Sequence, residues 1–292
     1  MKSPQISIIL STYNQPSWLE KALQGYEFQT FKDFEILIAD DGSKDETRLL
    51  IENYKNKSKL KITHIWHEDN GFQKTIILNK SIISSKSDYL LFSDGDCIPR
   101  SDFIEKHISQ REEKYFLSGG YFKLPMSISE IISLDDIKNQ NCFDINWLKK
   151  NGLNSSIKNY KLTARGCTEK LLNRLTPTKA TWNGHNSSGW KKDILNVNGF
   201  DERMQYGGED RELGERMLNL GIRSKQLRYS AVCIHLDHAR GYVKQEMIEK
   251  NNIIRKKVKQ TKSVYTLHGI KKNSINRSEE HTSELQSPMY LV

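Results

Sequence analysis

The chain has 292 residues, of which 36% are hydrophobic and 28% charged, and its net charge is +9. This composition is typical of an ordinary globular protein with one large domain or two small ones. No apolar run approaches the length of a membrane span, and the N-terminus lacks the apolar core of a signal peptide, which argues against membrane-embedded and secreted proteins. The four cysteines form no Cys-x-x-Cys pair, so we expect a reduced, cytoplasmic chain.

The basic charge suits nucleic acid, anionic lipid or a phosphorylated ligand, and a lysine-rich proteome explains it equally well. Two lysine-rich stretches, residues 55–61 and 244–272, carry much of it. Neither has the interleaved aromatic residues of a single-strand nucleic-acid platform, so we expect no nucleic-acid partner. The stretch 244–272 is expected to be either a solvated helix or a peripheral contact with an anionic membrane.

Strands and helices alternate through the first 93 residues. The predicted strands cover residues 5–11, 34–39, 60–66 and 89–93. The predicted helices cover 18–28 after Pro16, a segment ending at 54 that Ser43 and Glu46 open as a capping box, and 71–84. This alternation predicts an α/β fold with a parallel, doubly wound sheet.

The pattern weakens after about Gly120, and residues 125–180 are too irregular to assign. We expect a helix over 209–220 ended by Gly221, a short strand over 231–234 and a charged helix over 244–259. One domain with a C-terminal extension fits this order better than two domains.

Polar clusters follow three of the predicted strands, at residues 11–14, 40–43 and 94–96. The ends of parallel strands lie on one edge of a sheet, where α/β proteins bind ligands, so the clusters should converge. A nucleotide bound there would meet Asp41 as an acceptor for a base N–H group. Thr12 and Tyr13 would offer it backbone groups or an aromatic face.

Asp94 and Asp96 come directly after an apolar strand. Two carboxylates at this position make an oxygen-rich site for Mg²⁺ or Mn²⁺, which usually holds substrate phosphates. The alternative is a polar turn, because Asp-Gly is a common turn pair. Lys74, at the start of the third helix, is a candidate phosphate contact or an ordinary surface lysine.

The block from Trp182 to Glu212 contains a second group of candidate residues. Gly208 permits a close backbone approach, and Glu209 and Asp210 place two carboxylates in the first turn of a helix. They either complement the helix dipole or include a general base that takes a proton from an attacking hydroxyl.

His235 and His238 follow the last short strand. Imidazole is a good ligand for Mn²⁺ and a poorer one for Mg²⁺, so a metal shared by Asp96 and His238 would favour Mn²⁺.

Five of these blocks, in this order, resemble the family 2 glycosyltransferases, which have the GT-A fold. The matching blocks are SIILSTYN (7–14), DDGSKD (40–45), DNG (69–71), DGD (94–96) and GED (208–210). Residues 199–238 are also similar to the galactosyltransferase-type C-terminal half of chondroitin-polymerase-like bacterial enzymes. The resemblance implies a GT-A, Rossmann-like, mostly parallel sheet flanked by helices, in a single domain with a helical C-terminal extension.

By this resemblance, Asp41 binds uracil and Asp94 binds the ribose or the metal. Asp96 and His238 ligate the metal, and His235 lies where related enzymes place another metal contact.

On the catalytic side, the resemblance makes Asp210 the catalytic base and Glu209 a contact to the donor or acceptor sugar. Trp182, Asn186 and Gly208 are expected to line the sugar and acceptor pockets.

The resemblance implies inverting, metal-dependent transfer of a sugar from a UDP-sugar to a glycan or lipid-linked acceptor, with Mn²⁺ or Mg²⁺ as the cofactor. Surface polysaccharide or lipopolysaccharide synthesis is the expected process. Two alternatives stay open. A nucleotidyltransferase would attack the α-phosphate, although the N-terminus lacks a glycine- and arginine-rich phosphate loop. A non-catalytic protein would bind a nucleotide sugar or a glycan.

We expect a glycosyltransferase domain over residues 1–243, with a nucleotide-binding half (1–120) and an acceptor and catalytic half (121–243). Residues 244–276 would form a basic helical extension. The segment 277–287 looks like the translation of a sequencing-adapter oligonucleotide, so we exclude residues 277–292 from fold reasoning.

Overall fold

One eight-stranded sheet forms the centre of the computed structural model, which describes residues 3–239, 241 and 243–272. The strands are β1 (Ile6–Thr12), β2 (Phe34–Asp40), β3 (Ile62–Trp66), β4 (Tyr89–Asp94), β5 (Cys97–Pro99), β6 (Tyr115–Lys123), β7 (Ser187–Trp190) and β8 (Arg223–His235). Their order across the sheet is β3-β2-β1-β4-β7-β6-β8-β5. The α/β class is therefore confirmed.

Helices cover both faces of this sheet. Those of the described residues are α1 (Pro16–Glu27), α2 (Asp45–Lys57), α3 (Lys74–Ser84), α4 (Phe103–Gln110), α5 (Met126–Ile131), α6 (Leu134–Lys138), α7 (Ile145–Lys150), α8 (Tyr160–Thr163), α9 (Gly166–Leu175), α10 (Lys191–Asn196), α11 (Glu209–Asn219) and α12 (Gln245–Thr261). None of them combines the length with the apolar character that a membrane span requires.

The parallel half of the sheet is buried on both faces, which explains why its strands are apolar almost throughout. β1 lies between β2 and β4 and is parallel to both. Ile8 and Leu10 belong to a core cluster that includes residues of α1, α2 and α4. Ile9, on the opposite face, belongs to a cluster with residues of α3, α10 and α11. The predicted double cover of the parallel strands is confirmed.

The second half of the sheet is mixed. β7 is antiparallel to β4 and β6, whereas β8 is parallel to β6 and antiparallel to β5. The prediction of a short strand over 231–234 was wrong in length, since β8 spans Arg223–His235. β5 pairs only with the last three residues of β8. Most of β8 therefore lies at a sheet edge, where polar side chains are tolerated, and its sequence does not read as a buried strand.

Residues 125–180, which the sequence left unassigned, fold as the short helices α5 to α9. Each has ten residues or fewer, too few for a clear helical period. Their apolar residues, such as Ile128, Leu148 and Leu162, form a third core cluster with Val232 and Ile234 of β8.

The predicted capping box at the start of α2 was wrong. The helix begins at Asp45, and Lys44 is its N-cap residue without a side-chain cap. The Ser43 hydroxyl instead accepts a hydrogen bond from the Asn14 amide at 2.9 Å. The Ser43 amide donates to Asp40 at 2.8 Å. Ser43 is therefore used to join the ends of β1 and β2.

The charged helix α12 is packed against the domain. Arg255 forms an ion pair with Glu215 of α11 at 2.6 Å. The Asn251 side-chain amide donates to the carbonyls of Gln205 and Gly207 at 2.8 and 3.1 Å. Beyond α12, Asn198 donates to the Thr266 carbonyl at 2.7 Å. The predicted adapter-derived segment 277–292 lies outside the described residues.

Candidate active site

A cleft of about 550 Å³ opens at the carboxyl ends of β1, β2 and β4. All three polar strand-end clusters contribute to its wall, as the parallel topology predicts. The candidate site residues on this wall are Thr12, Tyr13, Asp41, Lys74, Asp94, Asp96, Glu209, Asp210, His235 and His238. The structure thus brings together residues that are up to 226 positions apart in the chain.

Asp94 lies at the end of β4, where one of its carboxylate oxygens accepts hydrogen bonds from both a hydroxyl and an amine. Its Oδ1 atom accepts from the Ser11 hydroxyl at 2.6 Å and from Lys74 Nζ at 2.8 Å. Burial alone would raise the pKa of Asp94, but the Lys74 charge, the hydrogen bonds from Lys74 and Ser11 and the other neighbours together outweigh it, and the net shift is downward. Burial alone would lower the pKa of the Lys74 amine, but the negative charges of Asp94 and Glu209 raise it overall. At neutral pH both groups are charged.

Asp41, at the end of β2, is fixed by neighbours from the loop before α3. Its two oxygens accept from His67 Nε2 at 2.8 Å and from the Gln73 amide at 3.1 Å. Burial raises the pKa of Asp41 despite these hydrogen bonds. Beside it, Tyr13 donates through its hydroxyl to Asp69 at 2.9 Å, and 41% of Tyr13 is exposed. The Tyr13 ring is therefore available to a flat ligand group.

Asp96 and two histidines converge at the other side of the Asp-x-Asp turn. The Asp96 Oδ2 atom lies 3.0 Å from His238 Nε2 and 3.7 Å from His235 Nε2. The Nδ1 atoms of His235 and His238 face the carbonyls of Leu236 and Ala239 at 2.7 and 2.9 Å. A carbonyl can only accept, so each Nδ1 carries a proton. In a neutral imidazole this leaves the Nε2 lone pair directed at Asp96.

This donor set fits a divalent cation. One carboxylate oxygen and two imidazole nitrogens suit Mn²⁺ better than Mg²⁺. Lone pairs facing a carboxylate at this distance repel unless a proton or a metal cation lies between them. Carbonyl groups that hold the far side of a histidine ring are usual at metal sites. The Cys97 thiol is also close, but burial raises its pKa well above the ordinary value, so it stays protonated and is a poor ligand.

Glu209 and Asp210 begin α11 immediately after a glycine pair. Asp210 Oδ2 accepts from the Gly184 amide at 3.0 Å, which fixes the carboxylate at the cleft wall. Glu209 accepts from the Gly207 amide at 2.9 Å. Burial and the neighbouring Asp210 charge raise the pKa of Glu209 to about 7, although Lys74 opposes the shift.

Gly208 shapes the turn and is not among the residues on the cleft wall, contrary to the prediction. It has a φ of +91° as the N-cap residue of α11, a conformation that favours glycine. A Cβ atom there would lie 3.1 Å from Arg255 Cδ of α12.

The prediction that Trp182 lines a sugar pocket was wrong. Its side chain is fully buried and packs edge-on against Phe92 and Phe116, with ring centroids 5.4 and 5.6 Å away. A Cβ atom on Gly214 of α11 would lie only 2.6 Å from Trp182 Cβ. Trp182 therefore belongs to the hydrophobic core that packs against α11.

Asn186 is also part of the core, contrary to the prediction. Its amide donates to the carbonyls of Gly120 and Ala231 at 2.7 and 2.9 Å, and its oxygen accepts from His107 Nε2 at 2.8 Å. Gly119 leaves the space that Asn186 occupies, because a Cβ atom there would lie 2.1 Å from Asn186 Oδ1. Asn186 thus ties β6 to β8 at their bulge.

His185 is a cleft residue to which the sequence argument gave no role. It lines the wall between the metal candidates and Asp210, and its ring packs edge-on against Tyr121 at 4.5 Å. Burial lowers the pKa of His185 to about 4, against the opposing effect of Asp94. The imidazole is therefore neutral at physiological pH. The sequence offers no separate signal for His185, because its contact with Tyr121 depends on the fold.

Comparisons with family models and with individual proteins all point to glycosyltransferases. Residues 7–174 match the family model described as "Glycosyl transferase family 2", and residues 175–239 match the one described as "N-terminal domain of galactosyltransferase". The chain is 26% identical over 226 residues to a hyaluronan synthase from Pasteurella multocida, covering 74% of this chain and 23% of that protein. It is 26% identical over 238 residues to a chondroitin synthase from Escherichia coli, covering 74% and 32%. The chain thus spans about a quarter to a third of the length of these two relatives.

Solved structures of similar fold include a mannosyltransferase from Pyrobaculum calidifontis in complex with GDP-Man and Mn²⁺. The TM-score is 0.56 at 15% identity, covering 82% of this chain and 59% of that one. TarS from S. aureus, in complex with UDP-GlcNAc, has a TM-score of 0.53 at 18% identity, covering 82% and 60%. These likenesses support the fold, and the match over more than half of the sequence identifies the family. The chain belongs to family 2 of the glycosyltransferases and has the GT-A fold.

Proposed function

We propose that this protein transfers a sugar from a UDP-sugar to a glycan or lipid-linked acceptor, with inversion at the anomeric carbon. The observation that carries the proposal is the presence of Asp41, Asp94, Asp96 and Asp210 on the wall of one cleft. Nucleotide, metal and acceptor can then meet at one place. Surface polysaccharide or lipopolysaccharide synthesis in the cytoplasm stays the expected setting.

On the donor side, Asp41 accepts from a uracil N–H group, and the exposed Tyr13 ring lies against the base. The Thr12 hydroxyl is buried without a partner among the described residues and is a further candidate contact. Asp94 binds the ribose or the metal. Lys74, charged and 2.8 Å from Asp94, supplies a cation to the diphosphate.

Asp96, His235 and His238 are the residues that would hold the divalent ion. When bound, such an ion neutralises the charge that develops on a departing diphosphate. Carbonyl groups hold His235 and His238 at their Nδ1 atoms, which leaves the Nε2 atoms on the side of Asp96.

Asp210 acts as the general base in this proposal. Its carboxylate takes the proton of the acceptor hydroxyl as the hydroxyl oxygen attacks the anomeric carbon from the face opposite the diphosphate. The bond between that carbon and the diphosphate oxygen breaks, so an α-linked donor gives a β-linked product. Glu209 contacts the donor or acceptor sugar. The Gly184 amide orients Asp210, and the half-buried, neutral His185 lies on the cleft wall with it.

The solved neighbours support the class of ligand. One has GDP-Man with Mn²⁺ and another UDP-GlcNAc, so the nucleobase is the feature to test. The family match disfavours a nucleotidyltransferase. A non-catalytic protein that binds nucleotide sugars remains the competing function, and an activity assay distinguishes it.

Thermal unfolding of the chain with UDP, GDP or CMP, with and without Mn²⁺, tests the donor site. We expect stabilisation by UDP that depends on Mn²⁺. At a ligand concentration of about 100 times Kd the gain is about 2.7 kcal/mol, or at least about 5 °C. Asp96→Ala should abolish the Mn²⁺ dependence, whereas Asp135→Ala, a change at an exposed acid of α6, should not. Equal shifts with all three nucleotides would contradict the uracil assignment, and no shift would contradict the donor site.

The predicted division at residues 120, 243 and 276 stays a proposal. The two family models meet between residues 174 and 175.

A further inference from the structure

An exposed face of α9 combines apolar and basic side chains. Leu171 and Leu175 are 55% and 66% exposed and stand one turn apart. Lys170 and Arg174, each one position earlier, are also exposed and flank the leucines. A helix of this pattern, leucines beside lysine and arginine, is typical of helices that lie in the interface of a lipid bilayer.

The segment before α9 also exposes large apolar side chains. Ile157 is 83% exposed, the largest value among large apolar residues in the described ranges, and Tyr160 is 56% exposed. α8 and α9 are separated by two residues and both pack on β8. Four large apolar side chains exposed between residues 157 and 175 make this part of the surface a candidate interaction site.

The charge of this region is almost entirely positive. Residues 145–180 contain eight lysines and arginines and one acid, Glu169. Glu169 is buried and paired with Lys106 at 2.7 Å, so it does not reduce the exposed positive charge. The occupant should therefore be anionic as well as apolar.

We propose that the exposed face of α9, with Ile157 and Tyr160, docks on a bilayer that contains anionic lipid. A second copy of this chain fits less well, because a twofold contact would bring the same basic residues together. Nucleic acid fits less well because leucine and isoleucine provide no stacking surface.

α12, on which the sequence-based membrane hypothesis rested, is a weaker candidate. Glu246 and Glu249 offset part of its charge. Arg255 and Lys259 form ion pairs with Glu215, and Ile253 is its one large exposed apolar residue among those described. These contacts make α12 a helix that packs against the domain and leaves its remaining charges in solvent.

The proposed face adjoins the cleft. Lys161 of α8 donates to the Tyr121 carbonyl at 2.9 Å, and the Tyr121 ring contacts His185 on the cleft wall. Docking would therefore bring this side of the cleft near the lipid, which suits a lipid-linked acceptor. This last consequence rests on the proposed function, whereas the docking itself does not.

Flotation of the full chain with phosphatidylcholine vesicles, with and without phosphatidylglycerol, tests the proposal without any substrate. We expect binding only to the anionic vesicles. The Lys170→Glu/Arg174→Glu variant should lower the partition coefficient at least about thirtyfold, since the loss of each basic residue alone costs about fivefold and the added acids repel the anionic lipid. Leu171→Ser/Leu175→Ser should lower it about tenfold or more.

Two control variants reverse the same number of charges at other places on the surface. They are Lys55→Glu/Lys57→Glu on α2 and Lys256→Glu/Lys257→Glu on α12. We expect both to bind nearly as well as the wild type, with all variants showing the wild-type circular dichroism. Absence of wild-type binding would overturn the proposal. So would equal loss in a control variant, or wild-type binding by the leucine variant, since the latter indicates a polyanion site. Because no nucleotide is present, failure here leaves the donor-site test unaffected.

Discussion

The two sides of the cleft are built in different ways. On the donor side, Asp41 and Asp94 extend from parallel strands whose register fixes their separation. On the catalytic side, Asp210 stands at the start of a helix and is oriented by the amide of Gly184, in a loop before β7. The donor side therefore depends on the sheet, whereas the catalytic side depends on the packing of loops against a core. Binding and chemistry should be separable by mutation.

Asp210→Asn gives the largest expected effect and tests that separation directly. Loss of a general base should lower turnover of a UDP-sugar by about 10²–10⁴-fold. UDP affinity should stay within about twofold, because Asp41 and Asp94 are unchanged. Steady-state kinetics and UDP titration of the same preparation measure both.

The matched control for Asp210→Asn is Asp135→Asn, a change at an exposed acid outside the cleft. Full activity of Asp210→Asn, or loss of its UDP binding, would show that the two sides are not divided in this way.

Trp182→Ala tests whether the catalytic side depends on its core. Removal of this fully buried side chain should lower the free energy of unfolding by about 3–5 kcal/mol, measured by urea denaturation. Trp66→Ala, at a half-exposed tryptophan that donates to the Ser43 carbonyl, should cost about 1 kcal/mol. Wild-type stability of Trp182→Ala together with a raised KM would instead restore the sugar-pocket role.

Glu209→Gln should produce the smallest effect, visible as a change in pH dependence. The pKa of Glu209 is raised from an ordinary 4.5 to about 7, so the folded protein binds this proton more tightly than the unfolded chain. The resulting stability is fully present below about pH 4.5 and is lost as pH rises through about 7. The variant should therefore gain stability over the wild type at pH 8 and lose the gain at pH 5. Equal differences in Tm at the two pH values would contradict the raised pKa.

The donor side could be predicted from the sequence because parallel, doubly covered strands are apolar along their whole length. The predicted ends of β1, β2 and β4 lie within one residue of the observed ones. The polar residues that follow each strand are then forced to one edge. The capping box predicted for Ser43 failed for a different reason. A serine before a helix can bind either its own helix or a neighbouring loop, and the sequence does not say which.

The catalytic side could be predicted only in part. Glu209 and Asp210 could be picked out as two carboxylates in the first turn of a helix, but only the family resemblance separated a catalytic role from simple compensation of the helix dipole. Trp182 and Asn186 were misassigned, because nothing in the sequence separates an aromatic or amide side chain that faces a sugar from one that faces a core. His185 lies two residues before the fully buried Ser187. Its place on the cleft wall could be recognised only from its contact with Tyr121, which the three-dimensional structure shows.

The contacts of α12 also bear on the extent of the folding unit in this protein. Asn251 holds the carbonyls of Gln205 and Gly207, and Arg255 packs beside Gly208, directly before the catalytic acids. The second family match ends at residue 239. A protein truncated there would keep every proposed catalytic and metal-binding side chain but lose the support for the loop that aims two of them. The family match therefore ends before the last helix that packs on this loop, and the folded unit of this chain includes α12.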